Sequence, residues 1–270
     1  MEKSIIGFIP KSRHIISLNN RLYIRLFHTS SVKAIKRIGP HNKDVISVII
    51  GSLLGDGYVT KKMIEGCSFS FRQSSKHKDY LFWLYEFFYT RGYCSNLKPR
   101  FYKRIIVNYG KVYTGYEFNT FSFRSFGWIR KLFYPKGKKV IKKDIENYIT
   151  PLSLAVWIMD DGGWTNYGVR LSANAFSYKE IIILTDILNR KFKLDTTIQK
   201  LSKSSPTIGR GTASPKKSSP LGDGTVRVRT VPSKNTKDKY SIYIKVNSML
   251  LLRKIVQPYI QISLLYKIGI

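Results

Sequence analysis

Residues 44–58 read DVISVIIGSLLGDGY, and the reading of the fold starts from them. Val45, Ile46, Val48, Ile49, Ile50, Leu53 and Leu54 make the run apolar nearly all round, the pattern of a buried helix rather than a surface one. It stops at Gly55-Asp56-Gly57, glycine being a common helix stop. An acid at that point is unusual, because a carboxylate at a helix C-terminus faces the negative end of the macrodipole. A buried helix that delivers one carboxylate at its C-terminal end is a candidate metal site.

The design occurs a second time. Residues 151–164 read PLSLAVWIMDDGGW: an apolar run opened by proline, then Asp160-Asp161, then Gly162-Gly163. Either stretch alone describes a capped core helix at least as well. Two of them, each opening a similar series of elements, indicate duplication. VRLSANAF (169–176) stands where CSFSFRQSS (67–75) stood, KEIIILTDILNRKF (179–192) where KDYLFWLYEFFYTR stood, and KYSIYIKVNS (239–248) where GYEFNTFSFRS stood. IRKLFYP (129–135) matches LRKIVQP (252–258), with Arg130/Arg253, Lys131/Lys254 and Pro135/Pro258 at one offset.

GSLLGDG and VWIMDDG resemble the two motif copies of LAGLIDADG homing endonucleases and intron maturases, of the single-chain two-repeat type encoded in fungal mitochondrial introns. The likeness runs from about Arg37 to the end. It sets Asp56 and Asp161 on the last acid of the motif, and Gly55 and Asp160 on the residue before it. It implies an α+β fold of two pseudo-twofold αββαββα repeats, with the motif helices packed at the centre and two antiparallel sheets forming a DNA-binding saddle. It also implies metal-dependent cleavage of both strands of a long asymmetric DNA site across the minor groove, leaving 3′ overhangs. Gly55 and Asp160 join Asp56 and Asp161 as expected metal-site positions on this basis. The family's lysine near each scissile phosphate falls on Lys139 in GKKVIKK, with Lys138 as the neighbouring alternative, and on Lys267 in LLYKIGI.

Composition agrees with a nucleic-acid partner. The 270 residues carry 47 Lys and Arg against 16 Asp and Glu, a formal charge of +31, and such an excess points to a polyanion. With 43% hydrophobic residues the chain can bury a core, which excludes a disordered basic tail. No apolar run reaches the length of about 18 residues that a membrane span requires. Cys67 and Cys94 lack metal-ligand spacing and read as reduced, partly buried thiols. His14, His28, His41 and His77 form no pattern and read as surface residues.

Three segments follow: a basic extension over 1–43, a first repeat over 44–148 and a second over 149–270. The extension holds nine Lys or Arg and one acid, Glu2. That suits a mitochondrial leader, a flexible DNA-touching arm, or linker left from fusion to an upstream exon. The leader and the linker both place the protein in mitochondria. Residues 202–238 are rich in Ser, Pro, Thr, Gly, Lys and Arg and read as a disordered insertion in repeat two. Its Leu221-Gly222-Asp223-Gly224 copies the motif tetrapeptide without an apolar helix before it.

Two buried carboxylates brought together would repel and raise each other's pKa. A divalent cation relieves this, and an all-oxygen site suits Mg²⁺, with Mn²⁺ as substitute. Close helix packing needs small residues. Gly51 and Gly55 supply them in the first helix, while Val156 and Asp160 occupy those places in the second. In CSFSFRQSS, Phe69 and Phe71 alternate with Ser68, Ser70 and Arg72, as in a strand with one polar face. Arg72, Gln73, Arg170, Asn174 and Lys245 are the expected readers of base edges or phosphates on the sheets. Four functions remain open: a monomeric endonuclease that mobilises its host intron, an RNA maturase for that intron, an inactivated copy, and a DNA-binding regulator on the same scaffold. Retention of both acids favours cleavage, because an RNA binder has no need of them.

Overall fold

The structure is a computed structural model that describes residues 33, 36–63, 66–106, 111–200 and 239–270. Residues 1–32 of the basic extension and the whole 202–238 insertion, with its LGDG copy, lie outside the described residues.

Repeat one runs α1 (Lys43–Leu54), β1 (Tyr58–Met63), β2 (Gly66–Ser74), α2 (Lys78–Tyr89), β3 (Arg100–Ile106), β4 (Lys111–Asn119) and α3 (Gly127–Phe133). Repeat two runs α4 (Pro151–Asp161), β5 (Gly162–Trp164), β6 (Val169–Ser172), α5 (Tyr178–Phe192), β7 (Thr196–Lys200), β8 (Tyr240–Ile244) and α6 (Met249–Val256). Each repeat is αββαββα. The strand orders β1-β2-β4-β3 and β5-β6-β8-β7 are the same, and all pairings are antiparallel. The α+β fold with two sheets is as expected.

The two motif helices, α1 and α4, pack against each other at the centre. Val45, Val48, Ile49, Ile50, Leu53 and Leu54 on one, and Leu154, Ala155, Val156, Trp157 and Ile158 on the other, are all essentially buried. That is why both helices are apolar on every side. Thr150 caps α4: its hydroxyl accepts from Ser153 N–H at 3.2 Å, and Ser153 Oγ accepts from Thr150 N–H at 2.6 Å.

The same topology is filled differently in the two repeats. Repeat one has an aromatic core, in which Phe71 stacks on Phe118 at 4.9 Å and Phe69 meets Phe126 edge-on at 5.0 Å. Repeat two uses Val169, Leu171, Ile181, Leu184, Leu188, Ile242 and Ile244. His41 is not at the surface as expected. Its ring stacks 3.9 Å from Phe126 between hydrogen bonds to Tyr93 Oη (2.9 Å) and Ser125 Oγ (2.7 Å), and burial lowers its pKa to about 4. Cys67 and Cys94 are buried and not joined in a disulfide.

Two short strands form without a clear pattern of their own. The segment after Gly57 continues as β1 paired to β2. Gly162-Gly163-Trp164 forms β5, although two glycines carry no alternation. β4 ends at Asn119. Thr120 leaves the ladder, and its hydroxyl accepts from Phe69 N–H at 3.0 Å.

Candidate active site at the paired helix ends

The closest helix approach is at Gly51 and Gly55. A Cβ on Gly51 would lie 2.4 Å from Ser153 O and 2.7 Å from Val156 Cβ, and one on Gly55 would lie 2.4 Å from Asp160 Cβ. The larger residues of α4 therefore fill the space that glycine leaves on α1. Val156 and Asp160, in place of glycine on α4, make the two helices complementary across the pair.

Three aspartates gather where the helices end. Asp160 turns its carboxyl back into the interface. Tyr80 Oη donates to its Oδ1 at 2.9 Å, Gln73 Nε2 donates to the same oxygen at 3.2 Å, and Asp56 N–H donates to its Oδ2 at 3.3 Å. Gln73 Nε2 also lies 3.2 Å from Asp56 Oδ2, tying the two acids together. Burial, then the charges of Asp56 and Asp161, push the Asp160 pKa well above the usual carboxylate range; the Tyr80 hydrogen bond and the Lys267 charge offset this only in part. Asp160 is thus pushed toward its neutral form, beside Asp56 and the buried Asp161.

No basic residue lies in the last turn of α1 or α4. The compensating cations come from elsewhere, one per helix. Lys139 Nζ donates to Gly55 O at 3.3 Å, and Lys267 Nζ donates to Asp160 O at 3.3 Å and to Met159 O. The two lysines hold equivalent carbonyls, related as the repeats are. Burial pulls Lys139 down to about 8 against the upward pull of Asp161, Asp56 and Asp160, so it is mostly an ammonium at neutral pH. Lys138 is exposed, so the placement distinguishes the adjacent pair. Lys267 sits on a 3-10 turn, Ile262–Ile268, clamped by Arg253 from α6: Nε donates to Ile268 O at 2.9 Å and Nη2 to Gly269 O at 3.1 Å. This gives Arg253, already visible in the duplicated LRK…P run, a structural task.

The expected readers separate into groups. Arg72 and Arg170 alternate with the core residues Phe71 and Leu171, so they lie on the sheet faces turned away from the helices. Asn174 is exposed just beyond β6, and Lys245, just beyond β8, pairs with Asp195 at 3.0 Å. Gln73 requires a correction: it is buried at the acids. It shares the parity of Phe71, and strand alternation excludes it from the face that carries Arg72. Tyr80 is a site residue that the sequence reading missed. A buried tyrosine hydroxyl needs a partner, and that was the available signal for Tyr80.

Tyr80→Phe leaves the buried Asp160 carboxyl one donor short. It is expected to destabilise the chain by about 1–3 kcal/mol, read from urea unfolding midpoints.

Two αββαββα units that bring paired carboxylates and paired lysines to the ends of two central helices define a duplicated carboxylate-centred fold. The model of the LAGLIDADG DNA endonuclease family matches residues 46–217. This chain belongs to that family. It is 34% identical over 271 residues to a cytochrome b mRNA maturase, bI2, of Saccharomyces cerevisiae, covering 98% of this chain and 54% of the yeast protein. The chain therefore spans about half the length of that relative. It is 38% identical over 190 residues to the intron-encoded endonuclease ai4 of Dictyostelium discoideum, covering 69% of this chain and 99% of that protein. Among solved structures it is similar to the homing endonuclease I-WcaI bound to its DNA recognition sequence, with a TM-score of 0.65 and 25% identity over 97% of this chain and 95% of that one.

Proposed function

We propose that this chain is a monomeric, metal-dependent endonuclease that cuts both strands of a long asymmetric DNA site and so mobilises its host intron. The observation that carries the reading is the pair of lysines, Lys139 on the Gly55 carbonyl and Lys267 on the Asp160 carbonyl, beside Asp56 and Asp161 at adjoining helix ends. One chain supplies both halves, so no second subunit is required.

Divalent metal use goes with the family, and the donor set fits it. Asp56, Asp161 and the carbonyls of Gly55 and Asp160 are all oxygen donors at the negative ends of two helices. Among the described residues no three His, Cys, Asp or Glu side chains converge to close a cage. An all-oxygen donor set suits Mg²⁺ or Mn²⁺. When bound, the cation supplies Lewis acidity toward the phosphodiester and an activated water. Asp56 and Asp161 would hold it. Gln73 donates to the Asp56 carboxylate, and Asp160 accepts from the Asp56 backbone N–H. Lys139 and Lys267 neutralise the helix ends and lie ready to meet phosphate charge.

Among the described residues no helix is long and apolar enough to cross a membrane. The cytochrome b maturases among the relatives support a mitochondrial setting. The yeast protein's name also favours a second reading, in which the chain assists splicing of its own intron RNA.

The test is cleavage of duplex spanning the intronless exon junction. Two defined cuts with Mg²⁺, none after EDTA, and recovery on adding Mn²⁺ are expected. Tight binding without cuts under any divalent ion would rule out the nuclease reading and direct the assay to splicing of the intron RNA.

A further inference from the structure

Strands β2, β4 and β3 lie side by side, and their registers set three charged residues in one row. Arg72 on β2 is opposite Glu117 on β4, which is opposite Arg100 on β3. The neighbouring pair Phe71 and Phe118 stacks in the core, so the charged row lies on the other face of the sheet.

Glu117 grips both arginines. One carboxylate oxygen accepts from Arg72 Nε at 2.8 Å and Nη2 at 2.5 Å, and the other accepts from Arg100 Nη2. A tyrosine holds Arg72 from a second side, its guanidinium carbon lying 5.1 Å from the centroid of the Tyr102 ring. Tyr102 reaches this position by lying across Gly115, its register partner on β4. A Cβ there would stand 2.5 Å from the Tyr102 hydroxyl and 2.3 Å from Gln73 O. Glycine at 115 is what lets the aromatic ring cross the strand. The Arg100 side chain keeps 78% of its exposure and the Glu117 side chain 11%. Burial would raise the Glu117 pKa, but the hydrogen bonds from Arg100 and Arg72 outweigh it and keep the acid below its usual range.

An anion on a face that meets DNA weakens binding through repulsion. An ion pair involving so exposed an arginine adds little stability in return. What the arrangement does supply is fixed direction for two planar, forked donors. Such a fork matches the O6 and N7 acceptors of guanine in the major groove.

The second repeat lacks the row. Counting from Asp56 and Asp161 makes Tyr58 and Gly163 equivalent, and their partners are Ser70 and Arg170. Two residues on, Arg72 is equivalent to Ser172. The same register then gives Ser241 for Glu117 and Gln199 for Arg100. A charged triad in one half faces a neutral triad in the other.

We propose that Glu117 is a specificity-determining residue that orients Arg72 and Arg100 to hydrogen-bond the O6 and N7 edges of neighbouring guanines in the half-site beneath the first sheet, with no counterpart in the second half-site. The proposal rests on the endonuclease reading, which places duplex DNA against this face.

The experiment measures binding and cutting by the full chain on a duplex selected from a randomised pool. Each guanine is replaced singly by 7-deazaguanine, which keeps base pairing and removes N7. For the wild type, two neighbouring positions in one half-site are expected to lose about 10- to 100-fold in affinity, and none in the other half-site to do so through this mechanism. Arg72→Ala and Arg100→Ala should each abolish the sensitivity at one of those positions. Glu117→Gln removes an anion, so it should bind non-specific duplex at least as tightly as the wild type while its discrimination at both guanines falls about ten-fold or more. A wild type that binds and cuts, with Glu117→Gln keeping full discrimination at every guanine, overturns this proposal alone. A Glu117→Gln chain that loses discrimination only because its melting temperature collapses makes the acid structural and overturns it as well. A wild type that holds no duplex overturns this proposal together with the endonuclease reading.

Discussion

Asp56→Asn and Asp161→Asn are each expected to lower double-strand cleavage by about a thousand-fold while leaving duplex binding within a few-fold. Asparagine keeps the shape of the side chain and removes the charge that a cation and its water require. The folded chain should not suffer. Burial and the charges of Asp56 and Asp161 already drive Asp160 toward its neutral form, so removing either charge relieves repulsion at the buried cluster. The signature is an unchanged or raised melting temperature with cleavage lost, which separates a chemical role from a structural one. Asp160→Asn is the internal control. Burial and the neighbouring charges push Asp160 toward its neutral form, and its backbone carbonyl survives the change, so cleavage should stay within about ten-fold of wild type. A supercoiled plasmid carrying the target reports all three, since linear product requires both cuts. Wild-type linearisation by either Asp56→Asn or Asp161→Asn would sink the assignment of the acids.

The parts of this molecule legible in the sequence are those written in local pattern. The α1 and α4 runs are apolar on every side, and each is closed by acid and glycine, so both the buried helices and their delivered carboxylates could be read directly. The duplication was legible because Arg130/Arg253 and Pro135/Pro258 share one offset. What escaped depends on contacts between distant segments. Strand alternation alone sets Gln73 apart from Arg72, yet its attachment to Asp56 and Asp160 exists only once β2 ends beside the helix termini. Asp160 turning toward Gly55 needs the two helices side by side. The choice of Lys139 over Lys138 depends on a loop folding back onto the Gly55 carbonyl. β1 and β5 form by pairing with a partner strand, and β5 has almost no side-chain signal of its own.

Gly51→Ala is expected to cost about 2 kcal/mol of stability and lower the melting temperature by roughly 4–8 °C. Helix propensity alone gives the opposite sign, because alanine is better than glycine in a helix interior by up to about 1 kcal/mol. Packing decides the outcome. The new methyl would stand 2.4 Å from Ser153 O, a backbone atom, and 2.7 Å from Val156 Cβ. Ser153 cannot yield easily, since it is locked into the cap of α4: its Oγ donates to Thr150 O at 2.8 Å, while Thr150 Oγ1 donates to Ser47 Oγ at 2.8 Å across the interface. The helices must therefore separate, and overpacking of this kind costs about 1–3 kcal/mol or more. Separation at Gly51 acts one turn below Gly55 and Asp56, so the carboxylates shift with it. Cleavage measured well below the melting temperature should fall further than the remaining folded fraction accounts for. Gly127→Ala, at the start of α3 where nothing lies within 4 Å of an added methyl, should be neutral or slightly stabilising. Equal melting temperatures for Gly51→Ala and wild type would mean that the two motif helices do not pack at the distance that brings their acids together.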